Sequence, residues 1–311
     1  MIKRMRYILI ISAIVALGFG LSIYADTTSQ HVSKKVMPAQ KKNGYYEINL
    51  KMGGSLKDMY IQNSSIFEGE PPVETAPTSD IGVRIDRPNI PMSEDKLIKL
   101  QLQDQQGRTL FNIDHIRDLM ITSDRNHFKE GITDIDFSYV CSDRSEIGME
   151  EMYQCFNGFV SNLKENGWRN YFPLMDARIK RKDTVNPKLK DINTGVDVFY
   201  FDNFDKWKDY YKDIENIRDI WLLEKNGIVL IFSKDVAAID TAFSVQLLTQ
   251  FSRYYYRYDI DEDIRAKEWK KYLQKDLQKW KNERNFDEEK VKRLGFEIDE
   301  SYQDTPLKFA Q

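Results

Sequence analysis

Apolar and polar residues alternate most regularly near the middle of the chain, where Ile135, Phe137, Tyr139 and Cys141 share one parity and Asp134, Asp136 and Ser138 the other. A period of two predicts a half-buried β-strand. Met152, Cys155, Phe156, Phe159, Val160 and Leu163 then recur at helical spacing, and Asn166-Gly167 is the ending a helix prefers, so a helix is expected over about 147–166. It should lie across the preceding strand.

Similar patterns place further elements on both sides. Tyr46, Ile48 and Leu50 alternate with Glu47, Asn49 and Lys51, and Gly53-Gly54 turns the chain toward Met59 and Ile61, which predicts a small hairpin. Leu97 to Leu102 and Leu110 to Ile113 flank Gln105-Gln106-Gly107-Arg108 as a strand pair. Val196 to Phe201 is strand-like, and Asp202 can cap a helix with Phe204, Trp207, Tyr211 and Ile214 facing inward. Two apolar runs, Ile220 to Leu223 and Ile228 to Phe232, enclose Asn226-Gly227, the strongest short-range hairpin signal in the chain.

Residues 241–256 satisfy two templates. Phe243, Val245, Leu247 and Phe251 alternate with polar residues, while Leu247, Phe251 and Tyr255 also fit a helix; β-branched and aromatic content favours a strand. From Asp261 to Arg284 the period is helical, with Trp269, Leu273, Leu277 and Trp280 on one stripe. Asp287, Glu288 and Glu289 then open a second, short helix ending at Leu294-Gly295. The fold class that results is α+β, an antiparallel sheet with packed helices, preceded by one N-terminal apolar helix.

That leading segment sets the expected location. Lys3, Arg4 and Arg6 precede an apolar run over residues 7–24, the arrangement that keeps the N-terminus inside and sends the rest of the chain outward. The run is close to the length needed to span a bilayer as an anchor, and Ala25 also suits the end of a cleaved signal peptide. Both outcomes place the body in the periplasm, either on a single inner-membrane pass or as a soluble protein after cleavage. The expected organisation is therefore residues 1–25 as signal anchor or signal peptide, 26–43 as a polar tether, 44–185 as one α+β unit and 186–311 as a second. Glu68-Gly-Glu-Pro-Pro-Val-Glu-Thr-Ala-Pro77 is a stiff acidic linker or loop inside the first.

Composition narrows the partners. A hydrophobic share of 41% with 31% charged residues excludes a disordered chain and a polytopic membrane protein. A net charge of -3 gives no overall field for nucleic acid or an anionic bilayer, so no nucleic-acid partner is expected. Only 3 His and 2 Cys are present, which leaves little for a zinc site, and no metal or other cofactor is expected. In an oxidising compartment Cys141 and Cys155 should form a structural disulfide joining strand to helix; redox chemistry more often uses Cys-x-x-Cys.

No established catalytic motif stands in the sequence. Asp259, Asp261 and Asp263 resemble the opening of a calcium loop, but Ile264 and Lys270 stand where an EF-hand needs Gly and Glu, so a solvated helix start is expected. His115 beside Asp114, and His127 near Asp124, have no nucleophile elbow or zinc-helix motif around them and read as surface histidines. Tyr254-Tyr255-Tyr256-Arg257 concentrates the residue types enriched at protein interfaces, and these four are the candidate partner-binding residues. On a strand, Tyr254 and Tyr256 would face one way and Tyr255 and Arg257 the other. The expected function is a non-catalytic, membrane-tethered periplasmic binding protein, most concretely an immunity protein that blocks an antibacterial toxin. The alternatives are an accessory subunit of an envelope secretion or division complex, and an envelope hydrolase without a recognisable motif.

Overall fold

Among the described residues, nine strands form a single sheet: β1 Tyr46–Lys51, β2 Val83–Asp86, β3 Ile98–Gln103, β4 Thr109–Asp124, β5 Ile132–Val140, β6 Arg169–Asn170, β7 Ile220–Lys225, β8 Ile228–Lys234 and β9 Ala242–Thr249. The computed structural model describes residues 46–64, 83–86, 97–142, 144, 147–189, 191–192, 194–212, 220–234 and 241–309. The expected apolar segment 7–24, the tether 26–43 and the acidic stretch 68–77 lie outside them. No helix among the described residues is long and apolar enough to cross a membrane.

The spatial order is β1-β3-β4-β5-β9-β8-β7-β6, with β2 also pairing β4. Every pairing is antiparallel except that of β1 with β3. The structure is thus a mixed α/β fold on a mostly antiparallel sheet. β5 pairs with β9, so strands from before and after residues 180–190 share one sheet. The Asn226-Gly227 turn joins β7 to β8 with both residues at positive φ, the conformation a tight hairpin demands.

Five α-helices accompany the sheet in the described residues: α1 Leu56–Gln62, α2 Met149–Glu165, α3 Phe204–Tyr211, α4 Gln250–Tyr255 and α5 Glu262–Arg293. α2 lies on the sheet as expected. Its Phe156 sits at the centre of the main core, with ring centroids 4.3 Å from Trp207, 5.2 Å from Trp221 and 5.7 Å from Phe232. Full burial of one such side chain contributes roughly 1.5–3 kcal/mol, so the contact between this helix and β7–β8 is a main source of stability.

Several local expectations are corrected. Gly53-Gly54 does turn the chain, but Ser55 accepts the Asp58 amide at 3.1 Å and starts α1, so no hairpin forms and β1 instead runs parallel to β3. Val198–Tyr200 is one turn of 3₁₀ helix in place of a strand, because the Asp197 carboxylate takes the Phe199 amide at 2.8 Å. Asn203 caps α3 where Asp202 was expected. The region 241–256 is a strand followed by a helix, and 261–295 holds one helix where two were expected. Where the break between those two helices was expected, Arg284 bonds Asp304 and the carbonyls of Asp176 and Pro173, and Glu288 holds Arg178 at 2.7 and 2.9 Å, so tertiary pairs carry the helix past Asn285-Phe286-Asp287.

Candidate functional site

At one end of β4 and β5 the chain gathers a cluster of polar and aromatic groups that lie far apart in sequence. β9 ends at Thr249, whose hydroxyl accepts the Ser252 amide and starts α4. That cap explains the strand-like pattern up to Leu248 and the helical one after it. α4 turns Phe251, Tyr254 and Tyr255 into a second apolar cluster with Trp269, Leu273 and Trp280 of α5. The following residue, Tyr256, points its hydroxyl back to the end of β4.

There the Tyr256 hydroxyl donates to Oδ2 of Asp124 at 2.5 Å, and Nδ1 of His127 meets the same oxygen at 2.7 Å. Asp124 is buried; the His127 side chain is 24% exposed. The imidazole packs on Tyr255 with ring centroids 4.5 Å apart and on Phe251 at 5.0 Å. Alongside, Tyr255 donates to Glu262 at 2.5 Å, Arg265 bonds Glu262 at 2.9 Å, and its guanidinium covers the rings of Tyr255 and Tyr256 at 5.3 and 5.4 Å. Burial first, and then the carboxylate that each phenol serves, hold both hydroxyls well above the usual tyrosine range.

Two more carboxyls stand on the polar parity of β5. Asp134 accepts the Ser252 hydroxyl at 2.9 Å, and burial pushes it up to about 6 against that bond. Asp136 is pushed up to about 8, by burial and then by the charge of Asp134.

The candidate contact residues fall into two groups. Tyr254 and Tyr255 are buried in the second cluster, since a helix replaces the strand whose two faces would have divided these residues. Tyr256 and Arg257 are half-buried, and the Arg257 guanidinium sits 4.4 Å over the Trp280 ring. Phe128, next to His127, and Ile264, in the first turn of α5, are exposed at 41% and 47%.

The other candidates lie elsewhere. Cys141 and Cys155 are joined by a disulfide with Cα atoms 5.5 Å apart, which ties the end of β5 to α2. Asp261 caps α5 by accepting the Asp263 amide at 2.9 Å, and no metal-holding group of three ligands occurs among the described residues. His115 occupies a β4 irregularity opposite β3 at φ 63 and meets Asp114 at 2.9 Å.

The start of α4 borders two cavities. One of 340 Å³ is lined by Arg169, Glu224, Lys225, Gln250 and Lys308 among others. The second, of 120 Å³, is lined by residues including Asp104, Glu130, Phe251 and Phe309. His127 lines neither. The site therefore holds an oriented imidazole and two protonated phenols, with Nδ1 and the Tyr256 hydroxyl both committed to Asp124.

Sequence reasoning had no access to the Asp124–Tyr256 bond, which closes across 132 residues. The local traces were carboxylates on the polar parity of a strand, which read equally as a solvated face, and His127 three residues from Asp124, expected as a surface histidine but found half-buried against that carboxylate. Comparison with protein-family models, with curated proteins and with solved structures finds no match to this chain.

Proposed function

We propose that this chain is an exported, membrane-tethered, non-catalytic binding protein whose contact surface is built around the turn from α4 to α5. The observation that carries the reading is the double engagement of Asp124 by Tyr256 and His127. Groups already bonded to one another, over a packed aromatic floor, make a pre-ordered surface that loses little entropy on binding. Half-buried Tyr256 and Arg257, and exposed Phe128 next to His127 in sequence, are of the types that anchor protein interfaces. Export is supported by the basic and apolar N-terminal pattern and by a cysteine pair at bonding distance, which suits an oxidising compartment. The most concrete form of this function is an immunity protein that blocks an antibacterial toxin in the periplasm.

The test is capture from detergent-solubilised membranes with wild type and a Phe128→Ala/Arg257→Ala variant. A partner held by the first and lost by the second is expected; equal retention by both overturns the assignment of this surface. In cells, deletion of the gene should expose them to a neighbour's toxin, whereas an accessory subunit of an envelope complex would show an assembly defect without competitors.

A second reading, an envelope hydrolase, is favoured by the Asp124–His127 contact, since a carboxylate on Nδ1 is how a general base is oriented. His127→Gln separates the two. A hydrolase loses its action in the cell by orders of magnitude, while a binding protein folded to the same stability keeps protection within a few fold.

A further inference from the structure

α5 runs for 32 residues, roughly 48 Å at about 1.5 Å per residue, and only one of its faces is occupied by the body. Trp269, Leu273, Trp280, Arg284, Glu288 and Val291 form that buried face. The opposite face carries Lys267, Lys271, Lys275 and Lys279 at successive four-residue steps, all exposed. Lys270 and Lys281 are exposed along its flank.

Like charges at this spacing repel along a helix, and ordinary surface helices relieve that with carboxylates between them. Here the stretch from Ile264 to Lys281 has six Lys and one Arg against Glu268 and Asp276. Glu268 meets Lys271 at 3.5 Å with the lysine 80% exposed. Asp276 is turned toward the Tyr258 hydroxyl. No carboxylate pairs with Lys267, Lys275, Lys279 or Lys281 among the described residues. A local cationic row thus stands on a chain whose net charge is -3.

The ends of the same face are apolar. With 100° between successive residues, Ile264 and Phe286 project on the side of Lys271 and Lys275, one beyond each end of the lysine row. They are exposed at 47% and 65%, the latter the largest exposure among the big apolar side chains described.

We infer that this face of α5 lies on an anionic lipid surface, the headgroups of the membrane to which the protein is tethered. Lysine is a hydrated point charge suited to a diffuse field of phosphates, whereas an acidic protein pocket is better matched by the planar fork of arginine. Phe286 and Ile264 would enter the headgroup boundary while the lysines stay above it, as in helices that lie in the interface plane. The inference rests on the tethered reading above, which places the helix beside a bilayer.

The test uses the full chain in nanodiscs of phosphatidylcholine alone or mixed with phosphatidylglycerol, with acetylation of each lysine followed by mass spectrometry. Acetylation of Lys267, Lys271, Lys275 and Lys279 should slow by about fivefold or more in the anionic discs and recover in high salt, while exposed Lys99 and Lys188 stay unchanged. In a Lys271→Gln/Lys275→Gln/Lys279→Gln variant, whose altered side chains touch no core, protection of Lys267 should disappear. Equal acetylation in both discs overturns the inference. Protection by soluble polyglutamate but not by anionic lipid overturns it in favour of an acidic protein partner. Loss of the chain from neutral discs contradicts the anchor instead. The same protein added to anionic vesicles then decides for α5, by sedimenting with them as wild type and not as the triple variant.

Discussion

The hydroxyl of Tyr256 donates to Oδ2 of Asp124 at 2.5 Å and so fixes the exit of α4 against the end of β4. A hydrogen bond to a buried charged group is worth roughly 1.5–3 kcal/mol. Tyr256→Phe deletes that donor and preserves the ring over which Arg265 lies. Urea unfolding should show a loss of about 1–3 kcal/mol with an unchanged m-value. A change below about 0.5 kcal/mol would mean that Asp124 is solvated and the cluster is not a rigid floor.

A backbone crossing near the same loop gives a sharper prediction. Gly131 has φ 65, and a Cβ there would stand 2.3 Å from the Gly54 carbonyl oxygen. The two segments are also bonded, Gly53 amide to Ile132 carbonyl at 2.7 Å and Ile132 amide to Gly54 carbonyl at 2.9 Å. Gly131→Ala should therefore cost about 2 kcal/mol or more, from clash added to conformation. Gly107 has φ 79 with open space around it, so Gly107→Ala should cost only about 1 kcal/mol. Equal losses in chemical denaturation would contradict the close approach.

These contacts also mark how much of the fold could be foreseen. The Asn226-Gly227 hairpin and the α2 period were legible because each signal is local and no long-range contact opposes it. The α4 boundary was less so: alternation up to Leu248 and helical spacing after it overlap, and only the Thr249 cap separates them. Asn285-Phe286-Asp287 resembles a helix junction, and the pairs of Arg284 and Glu288 with distant residues override that local preference. β1 reads as half of a hairpin until its parallel partner β3 is known. Tyr256 and the nearness of His127 to Asp124 were legible separately, but their meeting was not, since Asp124, Asp134, Ser252 and Tyr256 come together only when β5 pairs with β9.

The carboxyls of β5 set a pH dependence with a definite sign. Asp134 and Asp136 are raised to about 6 and about 8, above the ordinary value near 4, so the native state holds their protons more tightly than the unfolded chain. Their contribution to stability is present below about pH 4 and is lost as pH rises through 6 and 8. Asp136→Asn should gain on wild type as pH rises from 4 to 8, by up to several kcal/mol at about 1.4 kcal/mol per unit of raised pKa. Thermal unfolding of both proteins across this range checks it; a constant difference would show that folding does not raise the Asp136 carboxyl.

The Cys141–Cys155 bridge closes a short loop between β5 and α2. By the loop-entropy relation such a loop contributes roughly 3 kcal/mol. Cys141→Ala/Cys155→Ala should unfold at correspondingly lower denaturant, and wild type with reductant should follow it. Wild-type protein purified without reductant should show no titratable thiol under denaturant; two thiols would contradict an oxidising location.

The measurement that reaches the proposal most directly is the compartment of the C-terminus. A paired reporter behind Gln311, one enzyme active only outside the cytoplasm and one fluorophore that matures only inside, separates the two cases. An exported body should give enzyme activity without fluorescence, and that activity should persist in the Phe128→Ala/Arg257→Ala variant that no longer captures a partner. Fluorescence without enzyme activity would contradict export, and with it both the tethered binding role and the contact of α5 with a membrane surface.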